Sequence, residues 1–84
     1  MTAKRGGVPP YGYQRTPAGD IVQSPQEQAI IAEIVERYNA GETNAGIAMD
    51  LQNRGVLTRR NGRWSGTAIR EIIRWRDLHI KRYG

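Results

Sequence analysis

The 84-residue sequence is as informative for what it lacks as for what it contains. It has no cysteine and no phenylalanine, and His79 is its single histidine. Neither a disulfide framework nor a cysteine-ligated metal site is therefore possible, and one histidine is too few for a histidine-based zinc site. No apolar run approaches the roughly 20 residues that cross a bilayer, and the N-terminus lacks the apolar segment of a signal peptide. We expect a cytoplasmic protein without metal, cofactor, small-molecule ligand or membrane contact.

Groups that perform catalysis are also scarce. The only serines are Ser24 and Ser65, and each is sufficiently explained as a helix cap. A serine or tyrosine nucleophile needs a base and charge-stabilising groups that converge around it. With one histidine, no paired carboxylates and no glycine-rich phosphate loop, we expect no catalytic residue and hence no enzyme. Tyr11 and Tyr13 are expected to pack in a hairpin rather than to react.

Positive charge, by contrast, is abundant and unevenly distributed. Residues 54–84 carry nine arginine or lysine side chains and two acids, a net charge of +7, whereas residues 20–50 carry six acids and one arginine. Eleven of the thirteen cations are arginine. The planar arginine fork can engage a phosphate or a guanine edge with two hydrogen bonds. A segregated arginine-rich surface of this kind favours nucleic acid as a partner.

The chain divides into an arm and one small domain. Residues 1–10 are basic and rich in glycine and proline, which predicts a flexible arm or linker, and residues 11–84 form the domain. Within residues 11–23 two tyrosines alternate, and Pro17, Gly19 and Asp20 supply turn chemistry. This pattern predicts an N-terminal β-hairpin.

Three helices are predicted to follow the hairpin. Ser24, Thr43 and Ser65 are suitable N-caps, and Ser24 with Glu27 matches a capping box. Gly46 weakens the second helix by about 1 kcal/mol relative to alanine, which predicts a close helix–helix contact at that position. The positions expected to face the core are Ile30, Ile31, Ile34, Val35 and Tyr38 in the first helix, Ile47, Ala48 and Leu51 in the second, and Ala68, Ile69, Ile72 and Ile73 in the third.

The third helix is predicted from about residue 66 to residue 75, and residues 77–84 either extend it or fray. Trp64 is expected to anchor the core as a hydrophobic staple on Ile69. Trp75 belongs either to the core or to a partner surface, and His79 is expected on the surface without a special role. The fold class is mostly α (α+β): a β-hairpin and then three helices in a helix-turn-helix-like arrangement, with a basic loop or wing before the third helix.

This arrangement predicts binding to double-stranded DNA. The major groove admits an α-helix, whose N-terminal residues then meet base edges. Helix N-termini also favour a nearby phosphate, and basic N-terminal arms can follow the minor groove. The candidate DNA-binding residues are Thr67, Arg70 and Arg74 as base readers, Ser65 and Gly66 near phosphate, Arg59, Arg60 and Arg63 on the backbone, and Lys4 and Arg5 in the arm.

Other interpretations of the same residues stay open. An arginine-rich face is often only a solvated surface, on which Glu71 pairs locally with Arg74. A stand-alone interaction or regulatory module of a phage or mobile element would use Trp75, Tyr83 and the acidic first helix to bind a recombinase or a regulator. An RNA-binding protein would also be basic, although the sequence has no aromatic-interleaved sheet for stacking single-stranded bases.

Several motifs resemble the recombinase domain of large serine recombinases. Residues 8–15, VPPYGYQR, are similar to the PYGY opening of that domain. The first helix and its Ala-Gly exit at residue 41, and the segment LQNRGV at residues 51–56, resemble its next two elements. NGRWS at residues 61–65 is similar to the G-x-W-S entry of its recognition helix. The motifs occur in the family's order over residues 8 to 75.

The resemblance implies a domain that binds part of the attachment-site DNA in integration and recombination but does not cut it. In that family the nucleophilic serine lies in a separate resolvase-like domain, to which nothing here is similar. The resemblance also implies a bacterial or phage-encoded, nucleoid-associated protein, with a serine recombinase or its other domains as a partner. One departure lies after the third helix. The family's N-P-x-Y-x-G run is replaced by residues 75–84, WRDLHIKRYG.

Overall fold

The computed structural model describes residues 9–56, 58 and 62–84. Over these residues the elements are β1 (Tyr13–Arg15), β2 (Ile21–Gln23), α1 (Pro25–Asn39), α2 (Asn44–Asn53) and α3 (Gly66–Tyr83). The predicted fold class, mostly helical with an N-terminal hairpin, is confirmed. The predicted basic loop falls largely outside the described residues, as does most of the arm. No described helix is long and apolar enough to cross a membrane.

The hairpin is antiparallel and is attached to the end of α3. Arg15 pairs with Ile21, and the turn between them is closed by the Thr16 amide, which donates to the Asp20 carbonyl at 2.7 Å. Tyr13 opens β1 and is only 2% exposed. Its ring lies 5.3 Å from that of Tyr83 and 6.1 Å from that of His79, measured between centroids. One hairpin side chain thus fastens both strands to the last two turns of α3.

All three predicted N-caps are confirmed. The Ser24 hydroxyl accepts from the Glu27 amide at 3.4 Å, Thr43 from the Gly46 amide at 3.0 Å and Ser65 from the Ala68 amide at 3.2 Å. The reciprocal half of the capping box was predicted wrongly. The Glu27 carboxylate accepts from the Gly12 amide at 2.8 Å, and the Ser24 amide donates to the Gly12 carbonyl at 2.8 Å. The hairpin supplies these partners, so Glu27 joins α1 to the chain before β1.

The core lies where the three helices meet. Its buried members are Ile34, Ile47, Ala48, Leu51, Trp64 and Ile69, and Tyr11, Ile30, Val56, Ala68, Ile72 and Ile73 pack around them. Trp64 is 6% exposed, which confirms its role as a core anchor. Tyr38 departs from the prediction because it is 45% exposed. It lies in the last turn of α1, beyond the part of that helix centred on Ile34 that packs on the core.

The predicted helix–helix contact at Gly46 is wrong. Among the described residues, a Cβ at Gly46 would meet only the Thr43 hydroxyl, at 3.0 Å. The glycine therefore leaves room for the cap of its own helix. The close approach between helices occurs instead at Gly66, where a Cβ would lie 3.6 Å from the Ala45 amide nitrogen. As a result, the N-termini of α2 and α3 lie side by side.

Candidate nucleic-acid interface

The first three turns of α3 present one basic stripe to solvent. Ile69 is fully buried, and Ile72 and Ile73 are half-buried beside it, so the inner face of the helix is fixed. Side chains on the opposite face must then point outward. Thr67, Arg70 and Arg74 are all exposed there. We call these three residues the outer stripe.

Trp64, directly before the N-cap residue Ser65, fixes the start of α3 through three contacts. The Trp64 indole donates from Nε1 to the Val56 carbonyl at 2.9 Å, and its backbone amide donates to Gln52 Oε1 at 2.9 Å. Its ring also meets that of Tyr11 edge-on, with 5.4 Å between centroids. These bonds connect the N-terminus of α3 to the end of α2. The position of the outer stripe is therefore set by the core.

Two helix N-termini meet at this end of the domain. Ser65 is exposed and Gly66 is half-buried against the first turn of α2. Each helix carries partial positive charge at its N-terminus through amides that lack a helical partner. Arg63 is exposed just before them. Arg59, Arg60, Lys4 and Arg5 lie outside the described residues, so of the predicted backbone-contact set only Arg63 can be placed beside α3.

Arg74 is held by a contact that the sequence analysis did not predict. Its guanidinium carbon lies 5.2 Å from the centre of the Trp75 ring, a cation–π distance. The Trp75 Nε1 in turn donates to Glu71 Oε1 at 2.8 Å. The Glu71 carboxylate thus bonds the indole rather than Arg74, which was its partner in the alternative interpretation of a merely solvated surface. The i, i+4 spacing of Glu71 and Trp75 is the signal from which this bond was predictable.

Part of the charge pattern is neutralised inside the domain. Arg54 and Arg37 both bind Asp50, at 2.8 Å and 2.7 Å, and both also bind Glu33. Hydrogen bonds from Arg54, followed by those from Arg37, hold the pKa values of Glu33 and Asp50 below their usual ranges. Arg54, counted in the basic segment of the sequence, therefore fastens α1 to α2. Three of the six acids in residues 20–50, namely Glu33, Glu42 and Asp50, are thus paired with arginines.

An apolar groove lies beside the hairpin, along the second half of α3. It encloses about 280 Å³, and Trp75 stands at its edge with 38% of its surface exposed. His79, expected on the surface without a role, is half-buried in the lining, because the hairpin tyrosine packs on it. Burial, and after it the charge of Arg82, lowers the pKa of His79. The groove is lined by Tyr11, Tyr13, Gln28, Ile31, Thr58, Trp64, Ala68, Glu71, Ile72, Trp75, Arg76, His79 and Ile80.

The sequence left open whether the residues after Trp75 extend the third helix or fray, and the structure shows that they extend it. Residues 77–83 extend the helix to 18 residues, because His79 and Tyr83 pack on Tyr13. In the described part of the chain, no group of three or more histidine, cysteine, aspartate or glutamate side chains is arranged to hold a metal ion. The prominent surfaces are thus the outer stripe and the groove.

Comparison with known families identifies this arrangement. A model of the Recombinase family matches residues 25–77, from the start of α1 into the second half of α3 and over more than half of the chain. The chain belongs to this family. The match is to the recombinase domain of serine recombinases, which is not their catalytic domain, and it connects the protein with site-specific recombination and with DNA. No curated protein and no solved structure matches the chain significantly.

The matched region of this recombinase domain contains the whole outer stripe and part of the groove lining. It begins at Pro25 and includes α1, α2, the outer stripe and Trp75. The hairpin lies before it, and residues 78–84 lie after it. The resemblance found in the motifs is therefore confirmed. The role of each candidate DNA-binding residue stays a prediction.

Proposed function

We propose that this recombinase domain binds double-stranded DNA in a sequence-specific manner. It would recognise part of an attachment site for a site-specific serine recombinase, in DNA integration or recombination, and leave strand cleavage to a separate catalytic domain. The observation that carries the proposal is the outer stripe: exposed residues Thr67, Arg70 and Arg74 at the start of a helix fixed by a buried core. Such a protein acts on DNA in the bacterial cytoplasm, at the nucleoid.

The dimensions of the stripe suit the major groove. From Thr67 to Arg74 the helix rises about 10 Å at 1.5 Å per residue, and the groove is about 12 Å wide. Arg70 is the residue that we assign to a guanine edge, through two hydrogen bonds. Thr67 offers a methyl group and a hydroxyl to the neighbouring base pair, and Arg74 reaches one turn further along.

The paired helix N-termini support contact with the DNA backbone. Amides at the start of α3, next to Ser65 and Gly66, favour a phosphate oxygen, and small side chains let the backbone approach it. Arg63 stands beside them with an exposed side chain. The arginines at 59 and 60, and the arm with Lys4 and Arg5, are assigned to further phosphates and to the minor groove on sequence grounds alone.

Duplex DNA suits this surface better than RNA. The major groove of A-form RNA is deep and narrow, and side chains on a helix cannot read it. Single-stranded RNA binding instead needs aromatic platforms. On the described surface, Trp75 is the ring that contacts the outer stripe, through Arg74, and its indole is already bonded to Glu71. Tyr11, Tyr13 and Trp64 lie in the core or beside the apolar groove. Competition of labelled duplex DNA by RNA measures this preference directly.

The test compares three alanine variants of arginines on or near α3. Arg70→Ala should weaken binding by about 1–3 kcal/mol and relax preference at one base pair. Arg63→Ala should weaken binding to all sequences alike and reduce the salt slope by about 1. Arg82→Ala is the matched control, because its exposed side chain lies about 18 Å further along α3 than Arg70, at 1.5 Å per residue, and roughly 90° around the helix from the outer stripe.

Selection from random duplexes at two salt concentrations gives the preferred site. Fluorescence anisotropy on that site then gives the affinities. Unchanged affinity in both Arg70→Ala and Arg63→Ala, with each variant folded, would contradict the proposed docking. An equal loss in Arg82→Ala would reduce the interaction to general attraction by positive charge.

A further inference from the structure

We propose that Lys81, in the last turn of α3, is a further DNA-binding residue and contacts a phosphate at the edge of the major groove. The inference rests on the proposed function, because it extends the DNA-binding surface from the outer stripe to the end of α3. Lys81 has the direction, the charge and the fixed position that such a contact requires.

The side chain of Lys81 continues the line of the outer stripe. Lys81 follows Arg74 by seven residues and Arg70 by eleven, and at 100° per residue both spacings return to within about 20° of the same direction. Its side chain is exposed, as is that of Arg82. Arg82 is the other cation of the last turn, but it lies roughly 90° around the helix from the outer stripe.

The hairpin holds the end of α3 in place. The buried Tyr13 ring lies 5.3 Å from the ring of Tyr83 and 6.1 Å from that of His79, measured between centroids. These two residues flank Lys81 in the sequence. Helix ends fray, and packing on a tertiary partner is what keeps such an end helical. Because α3 continues to Tyr83, Lys81 keeps a helical direction in line with the outer stripe.

The charge of Lys81 is available to a phosphate. Asp77 lies four residues before it, at a spacing that favours ion pairs on a helix. The Asp77 carboxylate instead binds the guanidinium of Arg76, at 3.3 Å, on the groove side of α3. Within the described part of the chain, no carboxylate forms an ion pair with the Lys81 ammonium. Lys81 therefore gives up no internal ion pair when it binds DNA.

The position of Lys81 along the helix points to a phosphate rather than a base. Lys81 lies about 10 Å beyond Arg74 at 1.5 Å per residue, whereas the outer stripe already spans most of the groove, which is about 12 Å wide. A straight helix leaves the curved groove within a few turns, and its C-terminal end then passes the sugar–phosphate backbone. Lysine suits that place, because its ammonium is a compact charge on a flexible stem.

The test compares Lys81→Ala with Arg82→Ala on the preferred duplex. Both variants remove one exposed cation from the last turn of α3, so general attraction and any effect on the helix end are matched. Lys81→Ala should weaken binding roughly eightfold at about 0.1 M salt and roughly twofold at about 0.4 M, because one neutralised phosphate contributes about 0.9 to the salt slope. Arg82→Ala and the charge-conserving Lys81→Arg should both retain the slope of the unaltered protein.

Neutral phosphates then locate the contact. In a set of duplexes, one phosphate at a time is replaced by an uncharged methylphosphonate, and fluorescence anisotropy measures binding of the unaltered protein and of Lys81→Ala. One replacement at the edge of the site should weaken the unaltered protein but not Lys81→Ala, because in that variant the partner of the phosphate is already missing. A merely structural role of Lys81 would not couple it to a single phosphate.

Three outcomes would overturn the inference while leaving the proposed function intact, provided that Arg70→Ala still weakens binding. They are equal salt slopes in Lys81→Ala and Arg82→Ala, a changed base preference in Lys81→Ala, and equal effects of every methylphosphonate on the unaltered protein and on Lys81→Ala. If the unaltered protein binds no duplex DNA, the proposed function itself fails, and the inference fails with it.

Discussion

Gly12, in the YGY segment of the hairpin, provides a sharp test of how the hairpin is joined to α1. Its φ is +102°, a region that side chains of L-residues rarely adopt. A Cβ built there would lie 2.5 Å from Ile31 Cδ1 and 3.0 Å from Gln28 Nε2. The residue also donates to Glu27 and accepts from Gln28 Nε2 at 2.9 Å. Gly12→Ala should therefore disturb backbone conformation, packing and hydrogen bonds together.

Comparison with Gly19 separates the two contributions to the loss of stability in Gly12→Ala, backbone strain and overpacking. It has a similar φ of +96°, but a Cβ there would meet nothing within 4 Å. Gly19→Ala should thus cost only the backbone strain, about 1–2 kcal/mol. Gly12→Ala adds overpacking, about 1–3 kcal/mol, and the lower part of this range applies if the terminal methyl of Ile31 moves aside. We expect about 2–5 kcal/mol in total for Gly12→Ala.

Thermal and urea unfolding of the two variants measure this difference. For a domain of this size, 1 kcal/mol shifts Tm by roughly 4–8 °C, so Gly12→Ala should melt at least about 4 °C below Gly19→Ala. The loss of secondary structure is followed by circular dichroism. Equal Tm values for the two variants would show that the approach of Ile31 and Gln28 to Gly12 contributes nothing, and the argument from close contact would be wrong.

Two further predictions concern side-chain contacts. Trp75→Leu should weaken DNA binding by about 0.5–1 kcal/mol in the wild-type background but not in the Arg74→Ala background, and Trp75→Phe should retain most of the wild-type affinity. Fluorescence anisotropy measures these affinities. An equal loss in both backgrounds would exclude a role for the indole in positioning Arg74. Thermal stability should decline in two stages as pH falls. In the first stage, the pKa of His79 is lowered from about 6.5, so the stability that its neutral form provides is lost as pH falls below that value, and His79→Gln should abolish this stage. In the second stage, the pKa values of Glu33 and Asp50 are lowered from 4.5 and 3.8. The stability that their charged forms provide is therefore present above these values and is lost as pH falls below them. A melting temperature that does not change between pH 7 and pH 3 would contradict both assignments.

The helix starts and the buried faces of the helices could be predicted from the sequence, because they depend on interactions between residues a few positions apart. Ser24, Thr43 and Ser65 cap helices by bonding amides three residues later, an interaction that depends only on the adjacent chain. The inward positions of α2 and of the first half of α3 followed from helical periodicity. The outward direction of the outer stripe is a consequence of the same periodicity.

Other features depended on groups far apart in the sequence. Glu27 left the capping box because the hairpin placed the Gly12 amide within reach. His79 moved from the surface into the groove lining because Tyr13 packs on it from the other end of the domain. The close contact between helices occurs at Gly66 rather than at Gly46, because it depends on how the fold brings the starts of α2 and α3 together. The groove, formed by the hairpin and α3 together, had no signal in either segment alone.

The sequence alone determined the helix starts, the apolar and basic faces and the family, because hydrogen bonds between neighbouring residues and helical periodicity are properties of a short stretch of chain. The tertiary structure decided which charges are available. It paired Arg54 with the acids of α1 and α2, and it left Arg70 and Arg74 exposed. It also decided that α3 presents two different surfaces, since only the docked hairpin converts the second half of that helix into the wall of a groove. Contacts between distant segments form only when the chain folds, and no local pattern encodes the distance between them.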